Sequence, residues 1–182
     1  MRYQKGFSLI ELLIVVAIIL VISAIAVPNL LRARIAANEA SAAESLRVVN
    51  TAEISYVISY PTVGYSASLK VLGNPGNTNP CKPTNTRACI IDSVLGDATT
   101  APGKSGYLIS ETGIADPNNA SYNSTYRAGA APVSYNISGV KAFCTTEDGV
   151  VRVDYKNTNG KDKDTVAYNA CVQQGGKYSA MQ

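Results

Sequence analysis

Few side chains of this sequence could carry chemistry, because its 182 residues include no histidine. Histidine is the side chain most used as a general base near neutral pH and the commonest metal ligand, so its absence removes the usual hydrolytic triads. The sequence also lacks a nucleophile elbow, a phosphate-binding loop and a dinucleotide-binding motif. We therefore predict a protein that is not an enzyme and that needs no cofactor.

The carboxylate with an unusual position is Glu11, which lies early in a long apolar segment. Only Ser23 is polar between residues 12 and 27, and the 21 residues from 7 to 27 would form about 31 Å of helix. Such a helix can span a hydrocarbon core about 30 Å thick. A carboxylate well inside that core costs about 2.5–3.5 kcal/mol, so Glu11 needs a partner.

Three interpretations of this segment are open. A secretory signal peptide would be cut after Ala26, and a plain signal anchor would keep the helix but leave Glu11 unexplained. Cleavage after Gly6 would place a charged amine on Phe7, one helical turn from Glu11. That amine could pair with the carboxylate of its own chain or of a neighbour, and an otherwise unpaired charge would then set the register of packed helices.

Residues 5–16, KGFSLIELLIVV, resemble the class III signal of type IV pilins and of the related pseudopilins of type II secretion. The resemblance implies that a prepilin peptidase cuts after Gly6 and methylates the amine of Phe7, and that Glu11 is the assembly carboxylate. It implies a single-pass inner-membrane precursor with its N-terminus inside, which the positive Arg2 and Lys5 also favour. Inner-membrane assembly machinery would then polymerise the subunits through their N-terminal helices into an extracellular pilus.

The fold class predicted with this resemblance is α+β, with one long helix whose second half packs on a small antiparallel sheet. We expect a leader at residues 1–6, an apolar helix at 7–31, an amphipathic helix at 32–60 and a globular domain at 61–182. Pro28 removes a hydrogen bond to the carbonyl of Ala24 and should kink the helix. Downstream, the pattern predicts an apolar stripe of Ile35, Ala42, Leu46, Val49, Tyr56 and Tyr60, with polar interruptions at Arg34, Glu39, Glu44, Arg47 and Glu53.

The C-terminal part has the composition of loops and short strands. Residues 66–72 suggest a helical turn, and residues 73–105, rich in Gly, Pro, Asn and Thr, suggest a surface loop. Three or four antiparallel strands are expected within 106–111, 120–130, 141–145 and 150–155. Turn signals lie at residues 112–113, 118–119 and 147–149.

The four cysteines, Cys81, Cys89, Cys144 and Cys171, have no C-x-x-C spacing. This argues against thiol redox chemistry and structural zinc, whereas an even number behind an export signal indicates two disulfides in an oxidising compartment. Of the three possible connectivities we favour Cys81–Cys89, closing the loop, with Cys144–Cys171, holding the tail.

The tail offers oxygen ligands for calcium at Asn157, Asn159, Asp162 and Asp164. Their spacing misses the EF-hand template, and a solvated turn explains them equally, so we predict no metal site. Removal of residues 1–6 leaves 14 basic against 13 acidic residues, a net charge of +1 without a basic run. Direct nucleic-acid binding is therefore not expected. Between the two families, the pilus subunit is favoured because major pseudopilins often lack cysteines; the type II secretion pseudopilin is the alternative.

Overall fold

The computed structural model describes residues 6–74, 80–155, 171 and 178–181, and all structural statements concern these residues. The chain divides into two compact units, Met1–Arg34 and Ile35–Gln182. Helix α1, Leu9–Ser59, begins in the first unit and ends in the second. The first unit contains the apolar start of α1, and the second contains the sheet and the hydrophobic core.

Helix α1 follows from its sequence. It is rich in alanine and contains no glycine, and Pro28 is its only proline. The helix ends where Pro61, which lacks a backbone N–H, follows Tyr60, and the last backbone bond runs from Tyr60 N to Tyr56 O at 2.8 Å. Pro28 lies inside the helix, and the kink expected there stays a prediction.

Two short helices interrupt the connection between α1 and the sheet. Helix α2 spans Leu69–Leu72 and helix α3 spans Ser93–Gly96, where the side chain of Asp92 caps α3 by accepting from Leu95 N at 2.9 Å. The prediction that residues 73–105 form a surface loop is wrong for their second half. Ala88, Ile91, Leu95 and Ala98 are buried in the core, and Leu95 is turned inward by the short capped helix α3.

In the described part of the chain, an antiparallel sheet of five strands follows, in the order β1-β2-β3-β4-β5. Its strands are β1 Tyr107–Asp116, β2 Asn119–Pro132, β3 Ala142–Thr146, β4 Arg152–Asp154 and β5 Ser179–Ala180. The turn predicted at residues 118–119 joins β1 to β2, with Asn119 as the first residue of β2, and the turn predicted at residues 147–149 lies between β3 and β4. The expectation of three or four strands missed β5, which has only two residues and no apolar run.

The turn predicted at Thr112 and Gly113 is also wrong, because both residues lie inside β1 and pair with Arg127 and Tyr126 of β2. Glycine is required at this position because two backbones approach each other closely. A Cβ on Gly113 would overlap the carbonyl oxygen of Ser66 and lie 2.5 Å from the side-chain nitrogen of Asn123. Glycine in a strand often marks such an approach rather than a turn.

The core lies between the second half of α1 and one face of the sheet. Ala42, Leu46, Val49 and Tyr56 of the predicted stripe are buried with the side chains that the strands turn toward them: Tyr107, Ile109, Tyr126, Ala128, Phe143 and Val153. The predicted α+β arrangement, a long helix followed by a small antiparallel sheet, is confirmed. The sequence pattern predicts Glu39 and Glu53 as polar interruptions of the apolar stripe. In the structure both side chains are buried, 8% and 0% exposed.

Two disulfides lie in the second unit. Cys81 pairs with Cys89, and Cys144 of β3 pairs with Cys171, with Cα–Cα distances of 6.3 and 6.0 Å. This is the connectivity favoured from the sequence. Cys144 and Cys171 form a small buried cluster with Ala142 and Tyr178, so the second disulfide attaches the tail of the chain to the sheet.

Candidate assembly site at the start of the long helix

Glu11 makes a hydrogen bond within the first turn of α1. The backbone N–H of Ser8 donates to Glu11 Oε2 at 2.9 Å. Ser8 precedes the first helical residue, Leu9, so Glu11 is the third residue of the helix. Serine followed three residues later by glutamate is the sequence of a capping box, in which the carboxylate reaches back to the N–H of the cap residue. Glu11 therefore has a partner inside its own chain.

The carboxylate of Glu11 remains open to a second interaction. Glu11 and Phe7 are both exposed, and Phe7 is 86% exposed. The first turn of a helix carries the positive end of the helix dipole and several unpaired N–H groups, which favour a negative charge. A cation approaching from outside the chain would reach a carboxylate that is already held in place.

Gly6 has no structural requirement for glycine. A Cβ built on Gly6 would meet nothing within 4 Å. The residue lies before the first helical residue and is exposed, as are Phe7 and Ser8. Folding thus leaves the Gly6–Phe7 bond accessible, and any need for glycine there has to come from a molecule that binds this segment.

The apolar start of α1 lacks partners among the described residues. An 18-residue window of this helix has a mean hydropathy of 3.1, and none of it is buried. Leu20, Ile25 and Leu30 expose 64%, 66% and 71% of their surface. By length and composition the helix can cross a membrane. Since each Å² of apolar surface left in water costs about 25 cal/mol, the segment requires a lipid or protein environment.

The calcium candidates Asn157, Asn159, Asp162 and Asp164 lie outside the described residues. Within the described part of the chain, no group of three or more His, Cys, Asp or Glu side chains could hold a metal ion.

Sequence reasoning missed three buried glutamates in the second unit: Glu39, Glu53 and Glu111. Glu39 accepts from the backbone N–H groups of Val140 and Lys141 at 3.1 and 3.2 Å and pairs with Lys141 Nζ at 2.8 Å. A signal was available for two of the three. Glu39 lies seven residues before the buried Leu46, and Glu53 lies seven residues after it. This spacing puts Glu39, Leu46 and Glu53 on one face of a helix.

The comparisons with known proteins agree with the geometry at the start of α1. Residues 1–27 match the family model described as "Prokaryotic N-terminal methylation motif". The chain is also 62% identical over 39 residues to the "Type IV wide pilus major component PilA4" of Thermus thermophilus. Residues 1–27 therefore carry a prokaryotic N-terminal methylation motif. The class III signal predicted from KGFSLIELLIVV is thereby confirmed.

The similarity to this pilin is local. It covers 21% of this chain and 30% of the relative's length. No solved structure matches the chain significantly. The helix-and-sheet architecture described above is consistent with a pilin fold.

Proposed function

We propose that this chain is the structural subunit of a type IV pilus. The observation that carries the proposal is the position of Glu11. Its carboxylate accepts a capping hydrogen bond in the first turn of a helix whose apolar start is not buried among the described residues. The apolar start of this helix has no packing partner among the described residues, and a bilayer or a bundle of identical helices would bury it. The similarity to a pilus component supports the second environment as the final one.

Processing precedes assembly in this proposal. A prepilin peptidase cuts the accessible Gly6–Phe7 bond and methylates the new amine of Phe7. Before assembly the precursor is held in the inner membrane as a single-pass protein with its N-terminus inside. Residues 7–31 form the membrane and assembly helix, and residues 32–60 carry it into the globular domain.

Assembly uses the pairing of charges between subunits. The amine of Phe7 in one subunit approaches the carboxylate of Glu11 in a neighbour, where a lone charge surrounded by apolar side chains would be costly. The pairing sets the axial register of the helices, while the apolar side chains supply the area that is buried. Inner-membrane assembly machinery adds subunits, and the product is an extracellular fibre.

A structural subunit of a pilus is favoured over a pseudopilin and over an enzyme. The relative is described as a major component of a pilus, which supports a pilin rather than the pseudopilin alternative. A component of a pilus is a part of a fibre, which favours a structural role for this chain over an enzymatic one.

The capping box gives a sharp test of the role of Glu11. Glu11→Gln keeps a side chain that can accept from Ser8 N–H and removes the charge, whereas Glu11→Ala removes both. If charge pairing drives assembly, both variants enter the membrane and both lose most sheared fibre, measured by immunoblot of the sheared and membrane fractions. Glu44→Gln, at an exposed carboxylate on the same helix paired with Arg47, should assemble normally.

A different result would reassign Glu11. Wild-type amounts of fibre from Glu11→Gln, with a defect in Glu11→Ala alone, would mean that the carboxylate only caps the helix. Mass spectrometry of the N-terminal peptide tests processing separately. Sheared fibres should yield a chain that starts at methylated Phe7, while a start at Val27 would mean ordinary secretion and would refute the pilus assignment.

A further inference from the structure

Two buried carboxyl groups meet at one serine between α1 and the sheet. Glu53 lies on α1 and is 0% exposed, and Glu111 lies on β1 and is 4% exposed. Ser66, on the connection between them, is also fully buried. Its backbone N–H donates to Glu53 Oε2 at 3.0 Å, and its Oγ lies 2.9 Å from Glu111 Oε2.

The hydrogen-bond geometry indicates that one of the carboxyl groups carries a proton. Ser66 Oγ also lies 3.2 Å from the carbonyl oxygen of Ser68. One hydroxyl hydrogen cannot be donated to both the Ser68 carbonyl and Glu111 at full strength. A protonated Glu111 removes this conflict, because its O–H donates to Ser66 Oγ while the hydroxyl of Ser66 donates to the Ser68 carbonyl.

If both carboxyl groups were ionised, few hydrogen bonds from the described residues would stabilise their two negative charges. Glu53 Oε1 and Glu111 Oε1 are buried and accept no hydrogen bond in the described part of the chain. A buried charge without a partner is strongly unfavourable. The backbone N–H of Ser66 stabilises charge on Glu53, so Glu53 is the better place for the one negative charge and Glu111 for the proton.

Among the described residues, the side chains surrounding the pair bring no positive charge. The titratable neighbours are Tyr56 and Tyr60 of α1, Tyr65 of the connection and Tyr126 of β2, with Glu147 and Asp148 beyond them. Lys70 of α2 is exposed. Arg127 is adjacent in β2 to Ala128, which pairs with Glu111. Since successive side chains of a strand point to opposite faces, Arg127 points to the face of the sheet opposite to Glu111.

The electrostatic consequence agrees with the geometry. Burial raises the pKa of Glu53, and the bonds from Ser66 only partly oppose this. Burial, followed by the nearby charge of Glu53, raises the pKa of Glu111 well above the ordinary glutamate value. The first proton bound by the pair therefore remains bound at a pH where an exposed glutamate is ionised.

We propose that Glu53, Ser66 and Glu111 form a proton-dependent latch, in which a proton on Glu111 holds the second half of α1 against β1. When that proton leaves, two like charges face each other in a site without a cation among the described residues, and the attachment of α1 to the sheet weakens. The latch belongs to the unit Ile35–Gln182 and does not depend on the proposed pilus function. In a subunit exposed outside the cell, the medium would set its proton occupancy.

The sign of the pH effect follows from the raised pKa. The stabilisation by the latch is fully present below the ordinary glutamate pKa and is lost as the pH rises through the pKa of the folded state. Between these two values the folded state holds one proton more than the unfolded state. Linkage then lowers the folding equilibrium constant by up to about tenfold for each pH unit.

The test is urea unfolding of the full chain in a nonionic detergent from about pH 5 to about pH 9, followed by the near-ultraviolet circular dichroism of its tyrosines. The midpoint of the wild type should fall as the pH rises. Glu111→Gln keeps the volume and can donate from its amide to Ser66 Oγ but cannot ionise, so its midpoint should fall less. Glu44→Gln, which changes an exposed carboxylate of the same helix, should follow the wild type.

A second measurement covers the case in which a variant does not fold. Carbon-13 NMR of the Glu side-chain carboxyls of the wild type should show one group that titrates well above the others and that vanishes in Glu111→Gln. Glutamates that all titrate at ordinary pH would overturn the latch. So would a wild-type midpoint that added calcium raises and a chelator lowers, since a cation rather than a proton would then neutralise the pair.

Discussion

Asn50 makes three hydrogen bonds that join α1 to the sheet, and its removal should destabilise the second unit strongly. Its side-chain nitrogen donates to the carbonyl of Gly149 at 2.9 Å, and its side-chain oxygen accepts from the hydroxyls of Tyr126 at 2.8 Å and Thr145 at 3.1 Å. Asn50 itself is 7% exposed, while Tyr126 and Thr145 are 2% and 0% exposed. Water therefore cannot easily replace the lost side chain at either hydroxyl.

The cost of Asn50→Ala can be worked from these burials. Each hydroxyl left buried without an acceptor costs about 1–3 kcal/mol. The carbonyl of Gly149 lies in an exposed turn and can bond to water, so its loss adds little. Alanine recovers about 0.5 kcal/mol of helix propensity. The expected loss in the free energy of unfolding is about 2–5 kcal/mol, a large part of the stability of an ordinary domain.

A matched control is available on the same helix. Asn38 makes one hydrogen bond, to the carbonyl of Ser138 at 2.8 Å, in a half-buried place. Asn38→Ala should therefore cost about 0–1 kcal/mol, because one modest bond is offset by better helix propensity. Both variants are measured by urea unfolding of the full chain in detergent. A cost below about 1 kcal/mol for Asn50→Ala, equal to that of the control, would refute the view that Asn50 anchors α1 to the sheet.

Two further predictions concern the sheet. A Cβ on Gly139 would overlap the ring of Tyr107, so Gly139→Ala should lower the free energy of unfolding by about 1–3 kcal/mol. Gly73→Ala is the control, because a Cβ there has its nearest contact at 3.4 Å and should be nearly neutral. Equal urea midpoints for both variants would contradict this prediction. Replacing Cys144 and Cys171 together by serine removes a cross-link between residues 27 apart and should cost about 3–4 kcal/mol. Limited proteolysis should then cleave the tail faster, and a tail as resistant as in the wild type would argue against its attachment through this disulfide.

Local sequence was sufficient for the features that depend on neighbours along the chain. Consecutive residues are enough to predict the apolar segment, the class III signal and the end of α1 at Tyr60-Pro61. This is because helix formation and termination are decided within a few residues. The turn at residues 147–149 could be predicted for the same reason. The serine and glutamate of the capping box were visible too, although their hydrogen bond was recognised only in the structure.

The partners of the buried carboxyl groups were decided by tertiary structure. The helical spacing of Glu53 from Leu46 indicates a buried face, but only the fold brings Ser66 and Glu111, the latter 45 residues beyond Ser66, against Glu53. Gly113 likewise resembles a turn residue until the backbone of Ser66 crosses its strand. Whether a polar residue faces water or a partner depends on segments that are distant in sequence. Thus the sequence determined the long helix and its N-terminal signal, and the packing of the sheet against that helix decided which carboxyl groups are buried together.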